Sequence, residues 1–208
     1  MNHKKVRAKP VPAIAFFDFD GTTTHEEMFT PFIKYAAPKH RLLLGRLCLA
    51  STIIRYKHFN MPAHLVRPKV AGYAFKGLDE ETLKQKGKDF SISVIPEFVR
   101  TNALERMQWH KDRGDRVVLV SASLSLYLKP WCDLQGIELL SSDLEFNNNK
   151  ATGRYATPDC SSEEKVNRIK AQYKLSEYDA VYAYGDTPED YAMLNIADYK
   201  SYQWSEME

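Results

Sequence analysis

Three apolar runs constrain this chain more than anything else in it: AIAFF at 13–17, RVVLVSAS at 116–123 and AVYAYGD at 180–186. Helix-length segments separate them, and each ends in small polar or acidic residues. Strands joined by such long connections pair in parallel, because a parallel crossover takes a dozen residues or more. IELLSS at 137–142 and YKSYQW near the end read as two further strands, and the asparagines of NNNK suit a hairpin turn. Helices are expected near 97–112, 124–135 and 161–174, the last opened by serine caps. The fold class is therefore α/β, with a Rossmann-like parallel sheet. In such sheets a ligand sits beyond the carboxyl ends of the strands. DFDGT, SAS and GDTPED, which close the three runs, should thus meet at one crevice.

About 95 residues lie between the first run and the second, far more than one crossover helix. The stretch 24–95 is helical in pattern, and Pro31, Pro38, Pro62 and Pro68 should break it into pieces. It reads as an α-helical insertion over 23–95, with hinges near 22–26 and 91–97, in a core of 1–22 and 96–208. Its apolar run LLLGRLCLASTII, 42–54, contains Arg46 and is too short to span a bilayer, so a buried or interfacial helix is expected. The cysteines, Cys48, Cys132 and Cys160, are three in number and far apart. That pattern suits a reducing cytoplasm better than a disulfide framework. The basic N-terminus MNHKKVRAKP runs into a stretch carrying aspartates, unlike a signal peptide.

Asp18 and Asp20, one residue apart at the end of a buried strand, need a partner for their charge. Asp186 and Asp190 at the third strand's end add to the need, and a hard divalent cation with oxygen ligands would meet it. Taken singly these residues have ordinary readings: a turn, a strand-end hydroxyl, a solvated lysine. Taken in order, DxDGT at 18–22, Ser121 after an apolar strand, Lys165, and GDxxxD at 185–190 resemble the haloacid dehalogenase (HAD) superfamily. The match is to its subfamily IB, the phosphoserine-phosphatase-like branch with a helical cap.

That resemblance implies a Mg²⁺-dependent phosphatase. Asp18 would attack phosphorus to form an aspartyl-phosphate, and Asp20 would serve as general acid and then base. Lys165, Thr22, Ser121 and Ala122 would hold the phosphoryl group. Asp18, Asp20 (through its carbonyl), Asp186 and Asp190 would surround the metal. In phosphoserine phosphatases a cap glutamate binds the substrate amine, and Glu27 stands at that offset; Arg67 or Lys69 falls near the cap arginine. VSASL departs from that group's glycine pair, and Glu189 replaces its asparagine. HEEMF and CSSEEK look more like bacterial phosphatidylglycerophosphate phosphatases. A phosphoserine-phosphatase-type hydrolase of a small soluble metabolite is the alternative. A non-catalytic phospho-acceptor module of the receiver type is another, against which stand Asp20 and the insertion.

Charge placement adds a partner. Between Met28 and Leu78 there is no Asp or Glu but nine Lys or Arg: Lys34, Lys39, Arg41, Arg46, Arg55, Lys57, Arg67, Lys69 and Lys76. Lys4, Lys5, Arg7 and Lys9 precede them, so with a net charge of +2 the rest is strongly acidic. Solvated helix faces usually mix both signs. A small-molecule or lipid phosphomonoester is the expected substrate, with peripheral contact to an anionic membrane at its inner face. No nucleic-acid motif accompanies the charge, so nucleic acid is not expected as a partner.

Overall fold

The computed structural model describes residues 11–207; the basic tail with Lys4, Lys5, Arg7 and Lys9 lies outside them. β1 (Ile14–Phe17), β2 (Arg116–Leu124), β3 (Glu138–Ser142), β6 (Val181–Gly185), β7 (Tyr199–Tyr202) and β8 (Ser205–Met207) form one sheet, ordered β3-β2-β1-β6-β7-β8. All neighbours run parallel except β8, which turns back along β7. β1 is apolar at every position because it is covered on both faces. Ala15 and Phe17 join one buried cluster, while Ile14 and Phe16 join the other. With β2 on one side of it and β6 on the other, β1 marks the point where strand order reverses.

Helices α6 (Thr101–Asp112), α7 (Ser125–Gln135), α8 (Glu163–Gln172) and α9 (Tyr191–Asn195) connect these strands. The expected helix at 97–112 starts later, at Thr101. A short 3₁₀ turn, Ile95–Glu97, precedes it, and the backbone between is already paired: Val99 bridges Thr24, and Arg100 N donates to Thr23 O. The serine capping expected for α8 is not made. Ser162 adopts φ 50° and makes no side-chain cap bond; its N–H donates to Glu189 O, tying α8 to the loop after β6.

Between β1 and β2 come α1 (Phe29–Ala36), α2 (Lys39–Cys48), α3 (Ala50–His58), α4 (Ala63–Phe75) and α5 (Glu80–Ser93). Pro38 and Pro62 stand at the starts of α2 and α4, as breakers should. Pro31 falls in the first turn of α1, where an N–H has no intrahelical partner in any case. Pro68 does not end α4. The carbonyl that it leaves without an i+4 donor belongs to exposed His64. The run 42–54 is two short helices rather than one, parted at Leu49, and Leu47 and Phe59 stand 77% and 72% exposed.

β4 (Leu144–Asn147) and β5 (Lys150–Tyr155) form the expected hairpin, with Asn148 and Asn149 at φ 49° and 61°. It joins the inserted helices. Ala151 N donates to Leu78 O, and Gly77 and Glu80 donate to Ala151 O and Asn149 O. A Cβ on Gly72 of α4 would lie 2.3 Å from the Gly153 carbonyl oxygen, so helix and hairpin touch backbone to backbone.

Candidate active site

At the end of β1 the chain makes a wide loop closed by Thr24 N donating to Phe19 O at 2.9 Å. Gly21 takes φ +86°, and a Cβ there would lie 2.1 Å from Asp186 Oδ2, so only glycine lets the two loops approach. Buried Lys165, in the first turn of α8, donates to Asp18 Oδ1 at 2.5 Å and to Asp190 Oδ1 at 2.6 Å. Asp190 Oδ2 accepts from the N–H groups of Asp186 and Thr187 and from the Thr187 hydroxyl. Asp190 is therefore a brace for both Lys165 and the Asp186 loop. Thr22, expected at the phosphate, donates its hydroxyl to Asp186 Oδ1 at 3.0 Å, which orients that carboxylate. Gln203 and Trp204, in the β7–β8 turn, support the same loops by donating to Asp186 O and Thr22 O.

Asp20 is held at both oxygens. Oδ1 accepts from Met28 N at 2.7 Å and Oδ2 from the Ser123 hydroxyl at 2.5 Å, while Ser123 N donates to Ser121 Oγ at 3.1 Å. The departure in VSASL is thereby explained: Ser123 supplies a hydroxyl that glycine lacks. Ala122 lies buried between the two serines. Glu27 is exposed and accepts from Thr30 N at the start of α1, so its carboxylate serves that helix end.

From the cap, Arg67 rather than Lys69 reaches the core. Its Nε and Nη2 donate to the two oxygens of buried Asp159, each at 2.8 Å, and Nη2 also meets Glu189 Oε2 at 3.0 Å. Glu189 thus finds a cation. Sequence reasoning missed Asp159 and gave Ser123 no role; nothing in TPDCSSEEK marks its aspartate apart from a loop acid. Arg100, also unforeseen, donates to Gly21 O and Thr24 O and braces the loop after β1.

Burial, then Asp190, pushes the Asp18 carboxyl well above the usual range, with Lys165 opposing. Burial, against the Ser123 bond, raises Asp20 to about 6. Burial and Asp190 raise Asp186 as well. Lys165 is pushed upward despite its burial, because Asp18 and Asp190 favour the cation. Asp190 stays low: burial opposes ionisation, but Lys165 and two backbone N–H groups prevail. One lysine faces Asp18, Asp186 and Asp190, whose oxygens come within 4.8 Å of one another, so the cluster lacks positive charge. A hard divalent ion fits that deficit and those donors.

Residues 15–195 match the haloacid dehalogenase-like hydrolase family. The chain belongs to it. Among curated relatives of this HAD-like hydrolase is protein CicA of Caulobacter vibrioides, 28% identical over 194 residues, covering 92% of this chain and 86% of that protein. A crystal structure of a protein of unknown function from Bordetella pertussis Tohama I superposes with a TM-score of 0.77 at 21% identity, covering 92% and 90% of the two chains. A substrate-bound phosphoserine phosphatase shares the fold at a TM-score of 0.64 and 17% identity, covering 94% and 86%. The receiver-type reading drops out with the hydrolase family.

Proposed function

We propose that this HAD-like hydrolase is a phosphomonoester phosphatase that works through an aspartyl-phosphate on Asp18. The observation that carries this reading is the Lys165 ammonium held between Asp18 and Asp190 at 2.5 and 2.6 Å, with a second carboxylate two residues on, at Asp20, held independently by Met28 N and the Ser123 hydroxyl. Asp18 Oδ attacks phosphorus, the bond from phosphorus to the alcohol oxygen breaks, and Asp20 gives that oxygen its proton. Asp20 then takes a proton from water as the water oxygen attacks phosphorus, releasing phosphate and restoring Asp18. A carboxyl near 6 can hold a proton for the first step and accept one in the second. Lys165 and the Ser121 hydroxyl face the phosphoryl oxygens. Asp18, the Asp20 carbonyl and Asp186 would hold Mg²⁺, with Asp190 bracing them; the ion supplies charge compensation to the carboxylates and phosphoryl oxygens.

The substrate we assign is an anionic phosphomonoester at or near a membrane surface. Support comes from the cap's acid-free stretch and from the outward apolar side chains of α2 and α3, among them Leu43, Leu47 and Ile54. Among the described residues no helix is long and apolar enough to cross a membrane. Contact would be peripheral.

Acid-quenched reactions followed by peptide mass spectrometry test the chemistry. Phosphate should appear on the peptide containing Asp18, and Asp18→Asn should lose both this adduct and turnover of p-nitrophenyl phosphate by more than ~10³-fold. A chelator should abolish turnover and Mg²⁺ restore it. Near-normal turnover by Asp18→Asn, or in excess chelator, overturns the nucleophile or the metal respectively.

A further inference from the structure

Helices α1 to α4 enclose a hollow that no described residue fills. It is a cavity of about 420 Å³, lined by none of the residues placed at the catalytic edge. Its wall is apolar: Ile33 of α1, Leu42 and Leu43 of α2, Ile53 of α3 and Val70 of α4. Sites for apolar small molecules have that character, at ~300–1,000 Å³. Helix α3 has 9 residues and buries none of them. An isolated helix that short is marginal in water, so its apolar side chains call for a cover.

The mouth of the cavity is cationic. Lys34 and Arg41 line it too, and Arg41 Nη1 donates to Ala74 O and Lys76 O, which fixes the guanidinium where α2 meets the end of α4. Among the described residues Arg67 alone of the acid-free stretch meets a carboxylate, so Lys34 and Arg41 keep their charge for an anion from outside. A hydrocarbon chain with an anionic head matches wall and mouth together. A second copy of this chain does not, because self-pairing would bring two cation-rich, acid-free surfaces face to face. Leu43 and Leu47 stand 69% and 77% exposed beside the opening, a setting suited to a bilayer surface.

We propose that this cavity takes an acyl chain of an anionic membrane lipid, whose headgroup pairs with Lys34 and Arg41. The proposal deepens the membrane contact assigned to the cap and rests on it. Its test is calorimetric titration of the full chain with dioctanoyl phosphatidylglycerol below its micellar concentration; this phosphodiester survives a monoesterase. Binding should be at least about fivefold weaker for dioctanoyl phosphatidylcholine, which lacks the net charge. It should be at least ~tenfold weaker for octanoate, which brings a single chain. Leu43→Gln, on the wall, should weaken lipid binding at least ~fivefold, and Leu47→Gln, outside the cavity, less than ~twofold. Both side chains are mostly in solvent, so melting temperatures should hold. Equal effects of the two changes, or none, would mean adsorption to the surface leucines and overturn the cavity. Octanoate bound as tightly as the lipid gives the cavity to a free fatty acid, and a sedimenting dimer that Leu43→Gln breaks gives it to a second copy; either overturns the lipid. Wild type that sediments with anionic vesicles but takes up no monomeric lipid overturns the cavity alone. Wild type that does neither strikes the membrane contact as well.

Discussion

The sheet's carboxyl edge and the helices that cover it handle charge in opposite ways. At the edge, Asp18, Asp190 and Lys165 are buried and interlocked, and most of their polar atoms have named partners. Across the gap, α1 to α4 carry many cations and no acid, with exposed leucines between them. Burial makes charge expensive unless geometry is fixed, so the edge is rigid and its residue types are tightly specified. Exposed charge costs little and acts over a distance, so the cap can gather it without pairing. The proposed function assigns chemistry to the first region and attraction to the second. Arg67 joins them: among the described residues it is the cation of the acid-free stretch paired with core carboxylates.

Replacing Lys165 with methionine attacks the interlocked edge and should have the largest effect. Asp18 and Asp190 would then be buried without their cation, at a cost of about 3–5 kcal/mol. Calorimetry should show a large fall in melting temperature, partly restored by Mg²⁺, and turnover should vanish. A stable, active variant would mean that the edge is not held by this pair.

Next in size is the joint. Arg67→Ala should raise KM about tenfold while lowering kcat less, because the cap loses its tie to Asp159 and Glu189 while the edge stays whole. Amide exchange in α4 and in 156–162 should quicken with it. Equal loss in kcat and kcat/KM would instead place Arg67 at the reacting atoms.

The smallest effects belong to the cap surface. Lys39→Glu or Lys57→Glu should each weaken sedimentation with anionic vesicles roughly fivefold at low salt, in keeping with ~1 kcal/mol per basic residue near such a surface. Binding to neutral vesicles should be weak throughout. Wild type that ignores anionic vesicles would leave the cap's charge without a membrane role.

How much of this could be read from the sequence follows the same division. DFDGT and GDTPED are legible because one tight loop must hold several functional atoms, which fixes residue types over a few consecutive positions. Lys165 was legible only by its order among the motifs, since nothing local separates it from a surface lysine. Asp159, and the bond from Ser123 to Asp20, arise when distant segments meet, and no spacing encodes them. The bond from the Thr22 hydroxyl to Asp186 is likewise a meeting of distant segments. The serine caps of α8 failed because Ser162, its amide bonded to Glu189 O, stands at φ 50°, away from the extended backbone of an ordinary cap. Pro68 was read as a break because the period-based rule takes no account of a carbonyl that water can satisfy.

The contact of Gly72 with the Gly153 carbonyl bears on how such proteins diversify. Helix α4 and the β4–β5 hairpin come from sequence segments some eighty residues apart, yet there is no room between them for even a methyl group. Recombination that exchanged residues 23–95 alone would bring a foreign helix against a hairpin shaped for this one. New lids for this core should therefore arise by drift within one lineage, or by paired exchange of both segments, rather than by a single crossover.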